Sequence, residues 1–210
     1  MTTYYRNGGG RGGFSNKRVG VVTDDVMRQW LSAIAGGNKQ AFSALYQAFL
    51  PRLYGYLRLQ IGHDSDVQDL LQDTFVTVWR SASRYSGQAT VATWIFGIAR
   101  HKLLDWLRAK QKLAGREQLL ADGDETLELV QADFADTVAS ELDLATALDA
   151  LPPHYAELVY LVFHEAMNYR DVASILDIPE GTVKSRMHQA KRLLRQQLWK
   201  GGMASERNMS

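Results

Sequence analysis

From Glu117 to Asp149 every charged residue is an acid, with no lysine or arginine among them. A run of like charges repels itself and stays solvated, and its first part, with Gly123 and few large apolar residues, reads as a linker. From Ser140 the pattern turns helical again through Leu142, Leu144, Leu148 and Leu151. The acidic stretch is a connector between two helical parts of the chain. The chain divides into 24–114, an acidic linker at 115–139, and a second unit at 140–200, with tails at 1–23 and 201–210.

Both units have the material to fold, because 46% of the 210 residues are hydrophobic. The formal net charge of +1 hides segments of opposite sign, and segment charge is what a partner meets. There is no cysteine, so disulfides, thiolate nucleophiles and cysteine zinc sites are excluded. The longest apolar runs, such as Leu158 to Phe163, fall far short of the roughly 20 residues a membrane span needs. The arginines and glycines at the N-terminus are followed by no apolar stretch, which argues against a secretory signal. The expectation is a soluble cytoplasmic protein without membrane insertion. The first residues, Arg6 to Gly13 with Lys17 and Arg18, read as a basic solvated tail able to add weak phosphate contacts.

The periodicity of the first unit is helical throughout. Val26, Trp30, Leu31 and Ile34 share one helix face, and Gly36-Gly37 ends it. Phe42, Leu45, Tyr46, Phe49, Leu53, Tyr54 and Leu57 recur at three and four residues, in a run that Pro51 is expected to kink or divide. Asp66 to Arg84 repeats the theme, the turn Tyr85-Ser86-Gly87-Gln88 comes next, and a fourth helix covers about Val91 to Lys112. With no alternating stretch of strand length, the fold class is all-α, two small helical domains. In the second unit Pro152-Pro153 starts a helix whose positions Leu158, Val159, Leu161, Val162 and Phe163 are expected to be deeply buried.

Tyr169 to Leu176, then Asp177-Ile178-Pro179-Glu180-Gly181, then a helix from Thr182 to about Leu198 form a helix-turn-helix pattern. Ala173 is small enough for the second helix to cross closely, and Ile178 supplies an apolar plug in the turn. Val183, Met187, Ala190 and Leu194 face inward. That leaves Thr182, Lys184, Ser185, Arg186, His188, Gln189, Lys191 and Arg192 outward, donor types that read base edges and phosphates in a major groove. A solvated face of a structural hairpin carries similar residues, so the spacing favours DNA binding without deciding it.

Three segments together resemble one family. Val67-Gln68-Asp69-Leu70-Leu71-Gln72-Asp73-Thr74-Phe75, followed by Val78-Trp79-Arg80, is similar to the polymerase-binding helix of extracytoplasmic-function sigma factors, a minimal branch of the sigma-70 family. Thr93-Trp94-Ile95-Phe96-Gly97-Ile98-Ala99-Arg100-His101 with Asp105-Trp106-Leu107-Arg108 resembles that family's promoter-melting, −10-reading helix. Ala173 to Arg186 is similar to its −35-reading helix-turn-helix. The chain departs from the family pattern at Gln68, His101 and Asp177, where glutamate, asparagine and glycine are usual. Asp tolerates left-handed backbone, so the turn is expected to survive. His101 lies among the expected nucleic-acid contacts and is expected to alter promoter preference.

The resemblance implies an alternative sigma factor that binds core RNA polymerase and directs promoter-specific initiation. It implies no catalytic residue, no cofactor and no metal. Asp66, Asp69, Gln72, Asp73, Phe75 and Trp79 would meet the polymerase clamp helices, where acids at helical spacing offer a negative edge to a basic partner. Ser86, Gly87, Gln88 and Thr90 would receive a melted base, and Arg100, His101, Lys102 and Arg108 would face the −10 element. Trp94 and Trp106 are expected in the core. An anti-sigma factor would hold the free protein inactive, and the acidic linker would thread near the polymerase active centre, although a plain solubilising linker has the same composition. Two alternatives stand beside this reading. One is a helix-turn-helix repressor or activator that does not bind polymerase; the other is an all-α metallohydrolase using His63, Asp66, Asp69 and Asp73.

Overall fold

The computed structural model describes residues 22–113 and 151–207, with side chains described over 22–112 and 151–196. The basic tail apart from Val22 and Thr23, the acidic linker, and the helix expected from Ser140 lie outside the described residues.

Helix α1 spans Asp24–Ala35, with Asp24 and Asp25 placing negative charge at its positive N-terminal end. Its buried face is Met27, Leu31 and Ile34, while Val26, expected inside, is 37% exposed. Gly37, at a φ of +83°, turns the chain into α2, Lys39–Arg58. The Asn38 side chain caps α2 by accepting from the Ala41 N–H at 3.0 Å. Contrary to the expected kink or division, α2 is one continuous helix with Pro51 inside it. Pro51 is exposed, so the carbonyl that its missing N–H leaves unbonded lies on the solvent side.

Helix α3 covers Asp64–Ser81 and buries Val67, Leu70, Leu71, Thr74, Phe75 and Val78. A 3-10 turn, Ala82–Arg84, and a short loop lead to α4, Val91–Leu113. The inner face of α4 is Val91, Ile95, Phe96, Ala99 and Leu103, packed on α3 and α2.

The second group opens with α5, Pro153–Val159, which has proline at its first position as expected. It runs into a single π turn, Tyr160–His164, closed by the Glu165 N–H donating to the Tyr160 carbonyl at 3.1 Å. The extra residue in that turn rotates the next side chains off the buried face. Leu158, Val159 and Leu161 are buried as expected, together with Tyr160, but Val162 is only half-buried and Phe163 is 43% exposed, with the Lys191 ammonium 5.9 Å from its ring centre. Helix α6, Tyr169–Leu176, is capped by Asn168, and α7 runs Glu180–Arg207, beyond both ends of the expected span.

The two helical groups pack on one another: α6 lies against α4, and the buried residues of both groups form one continuous apolar cluster. Tyr56 of α2 sits at the junction, edge-on to Phe96 at 5.3 Å and 6.1 Å from the Tyr160 ring. Among the described residues no helix is long and apolar enough to cross a membrane.

Candidate nucleic-acid interface

The helix-turn-helix is built as its residues require. Asp177 ends α6 in the left-handed region, φ 53° and ψ 47°, and the Ile178 N–H donates back to the Ala173 carbonyl at 3.2 Å. Ile178 packs half-buried against the core, and Val183, Met187, Ala190 and Leu194 are buried beneath α7. The outward positions then divide. Lys184 and Arg192 are exposed, Lys184 pairing with Glu180 one turn earlier at 2.9 Å. Thr182, Ser185, Arg186, His188 and Gln189 are half-buried. The charge of Arg186 also bears, weakly, on Glu157 of α5.

On α3, Asp69, Gln72 and Asp73 are exposed, and Asp66 is partly covered by an ion pair with Lys110 of α4 at 3.3 Å. The aromatic residues expected to join them behave differently. Phe75 is only 3% exposed and belongs to the core, while Trp79 is half-buried with its ring 5.2 Å from that of Phe42. Tyr46, expected on the buried face of its helix, is 38% exposed, and with Val76, 39% exposed and not singled out in the sequence, it adds apolar surface next to the acidic edge. Tyr46 stands 4.5 Å from the Phe75 ring, which links that surface to the core. Among the described residues no three His, Asp or Glu side chains are grouped to hold a metal ion, and His63 stands just ahead of α3.

The loop between the 3-10 turn and α4 exposes Ser86 and Gln88, with Gly87 between them at a φ of +75°. Thr90 accepts the Thr93 N–H at 3.1 Å and so caps α4. Two residues of α1, Asp24 and Arg28, reach this loop; no local pattern in the sequence marks them.

Along α4, His101, Arg108, Lys110 and Lys112 are exposed and Lys102 is half-buried, a cationic stripe with one acid, Asp105, bound to Arg108 at 3.1 Å. Trp94 and Trp106 lie half-buried against the core, and the Lys110 ammonium stands 4.8 Å from the Trp106 ring centre. Arg100 departs from the stripe. It turns toward the second helical group and donates to both carboxylate oxygens of Glu157, at 2.7 and 2.9 Å. The Tyr56 hydroxyl donates to the same carboxylate. Burial pushes the Glu157 carboxyl above its ordinary value, against the pull of Arg100 and the Tyr56 hydrogen bond. Burial, then the Glu157 charge, drives Tyr56 well above the usual phenol range. A second bridge crosses the same junction: Arg52 of α2 pairs with Glu165, just past the π turn, and the Tyr160 hydroxyl donates to the Arg52 carbonyl at 2.8 Å. For Glu165, burial is opposed by hydrogen bonding to His164 and by the Arg52 charge, and the net displacement is below the ordinary carboxylate value.

Comparison with known proteins agrees with this layout. The family described as sigma-70 region 2 matches residues 45–113, and sigma-70 region 4 matches residues 141–194. The ECF RNA polymerase sigma factor RpoE of Cereibacter sphaeroides is 33% identical over 162 residues, covering 77% of this chain and 88% of that protein. SigW of Bacillus subtilis, also an ECF RNA polymerase sigma factor, is 24% identical over 186 residues, covering 82% and 97%. Among solved structures, CnrH in complex with the cytosolic domain of CnrY matches with a TM-score of 0.58 at 23% identity, covering 83% of this chain and 97% of that one. The sigma factor RpoE of Bartonella quintana, in complex with the anti-sigma factor NepR, matches with a TM-score of 0.57 at 22% identity, covering 75% and 96%. These likenesses establish the fold, and the sequence relatives establish the lineage: the chain belongs to the extracytoplasmic-function sigma factors of the sigma-70 family.

Proposed function

We propose that this sigma factor divides its work between 24–114, which holds core polymerase and reads the −10 element, and 140–200, which reads the −35 element. Asp66, Asp69, Gln72 and Asp73 form the polymerase-docking edge, with Trp79 beside them and Phe75 supporting them from the core. The apolar surface of Tyr46 and Val76 extends that edge, since a protein interface gains most from apolar area next to complementary charge. Ser86, Gly87, Gln88 and Thr90 take an unstacked base. Arg100, His101, Lys102 and Arg108 meet the adjoining phosphates, and His101 biases promoter preference.

On α7, Lys184 and Arg192 anchor phosphates, while Thr182, Ser185, Arg186, His188 and Gln189 lie nearer base edges. Arg100 serves this role only when the two helical groups move apart, because in the packed arrangement it is held by Glu157 of the second group. The observation that carries the reading is the exposure of Asp69, Gln72 and Asp73 on α3 in a chain that also has a helix-turn-helix. A sequence-specific repressor has no use for that acidic edge. The site of action is the cytoplasm, and an anti-sigma factor restrains the free protein. The complexes of CnrH with CnrY and of RpoE with NepR support that last point by analogy of fold.

Reconstitution with core RNA polymerase on genomic fragments, with transcript 5′ ends mapped, tests the reading. Starts preceded by a shared pair of −35 and −10 sequences are expected. DNA binding without any such transcripts would favour the repressor.

A further inference from the structure

The loop proposed to take the melted base is not held by its own residues alone. Arg28, on the second turn of α1, donates from Nη1 to the Gly87 carbonyl at 3.1 Å and from Nη2 to the Ala89 carbonyl at 3.2 Å. Its Nε donates to Asp24 at 2.6 Å, and the other oxygen of Asp24 accepts the Val91 N–H, the first of α4, at 2.7 Å. One guanidinium and one carboxylate therefore join the loop, the start of α4 and α1. A guanidinium is planar and offers its donors in a fixed fork, so two carbonyls bound to it are fixed relative to each other. Tyr85 completes the clamp, its hydroxyl donating to the Ala89 carbonyl at 2.5 Å with the Arg28 guanidinium carbon 5.5 Å from its ring centre.

The geometry of Gly87 is matched to this fork. Its φ of +75° favours glycine, and a Cβ built there would stand 2.9 Å from Arg28 Nη1, so that the guanidinium would have to shift from its present place. With the carbonyls of Gly87 and Ala89 turned in toward α1, the intervening Gln88 and the preceding Ser86 are left exposed.

We propose that Arg28, oriented by Asp24, is a positioning residue for −10 recognition: it fixes the loop backbone so that Ser86 and Gln88 are already presented to an unstacked base. The proposal rests on the reading of this loop as the base-receiving element. Its value to the reaction is preorganisation, since a loop ordered before binding does not lose conformational freedom when the base arrives.

The test uses holoenzyme assembled from core RNA polymerase and the full chain. The probe is a single-stranded oligonucleotide carrying the non-template −10 sequence of a promoter mapped from transcript starts, with 2-aminopurine at each position in turn. Gln88→Ala reports on the loop itself, Arg28→Ala removes the fork, and Arg28→Lys keeps the charge but can reach only one carbonyl. Arg28→Ala should weaken probe binding by about tenfold, the scale of one or two lost hydrogen bonds, with Arg28→Lys between it and the parent. Affinity for core polymerase and for a duplex −35 fragment should stay within about twofold of the parent. Loss of probe binding in Gln88→Ala with none in Arg28→Ala overturns the positioning role while leaving the loop as reader. No loss in either overturns both readings. An equal loss of polymerase, −35 and probe binding in Arg28→Ala and Arg28→Lys would make Arg28 a residue of general stability and overturn the proposal.

Discussion

Arg100 of α4 holds both carboxylate oxygens of Glu157, at 2.7 and 2.9 Å, across the junction between the two helical groups. Neither partner belongs to the other's fold unit in sequence, and Glu157 is only 3% exposed. Breaking a buried pair from one side strands the remaining charge, which is costlier than never having had the pair. Glu157→Ala should therefore cost about 3 kcal/mol by chemical denaturation, since it leaves both Arg100 and the Tyr56 hydroxyl without the acceptor. Tyr56→Phe keeps the ring packing and the Arg100 pair and should cost about 1 kcal/mol. A Glu157→Ala protein as stable as the parent would mean that the two groups do not depend on this contact.

The exposed acids of α3 separate docking from folding. Asp73→Arg reverses charge at a solvated position and should lower affinity for core polymerase in a competition assay, with the thermal midpoint and −35 duplex binding close to those of the parent. An undiminished affinity would remove Asp73 from the docking edge.

On α7 the two exposed cations should behave as phosphate anchors. Lys184→Ala and Arg192→Ala should each weaken −35 duplex binding without altering which sequence is preferred, and each should reduce the salt dependence by about one counterion. A titration over several salt concentrations measures this. A change in sequence preference would mark the residue as a base reader instead.

Glu165 predicts an acid-sensitive junction. Its folded pKa lies below the ordinary 4.5, so the unfolded chain binds more protons on the acid side. Its contribution is complete above that value and is lost as pH falls through the lowered one. Glu157 has the opposite sign: displaced upward by burial, it favours the folded state most below 4.5 and loses that advantage as pH rises through its raised value. Glu165→Gln should flatten the acid limb of a stability profile and leave the other limb in place. Denaturation midpoints taken from about pH 3 to about pH 7 distinguish the two limbs.

Periodicity carried most of the architecture into the sequence. The inward set Val183, Met187, Ala190 and Leu194 and the plug Ile178 were legible because a buried helix face repeats at three and four residues. The left-handed turn at Asp177 came instead from the family resemblance, which has glycine there and needs a residue that tolerates that backbone. What escaped was whatever depends on residues far apart in the chain. Glu157 is one acid between Ala156 and Leu158, and nothing beside it names Arg100, 57 positions earlier. Nothing near Arg28 in the sequence names its partners, which lie 59 and 61 positions further on. Phe163 was misplaced for a different reason: a π turn breaks the repeat on which the inference stood.

The shared position of Arg100 sets up a linked equilibrium. A guanidinium held by Glu157 is withdrawn from DNA, so any phosphate that takes it must do so from the fraction of molecules in which α4 and α5 have parted. The apparent dissociation constant for promoter DNA is the intrinsic one divided by that fraction, and a closed state favoured by about a hundred to one weakens binding about a hundredfold. A partner that binds only the parted form removes this penalty without touching DNA. On the proposed reading, a polymerase that docked on α3 and kept the two groups apart would in this way act as a positive effector of the chain's own affinity for its promoter.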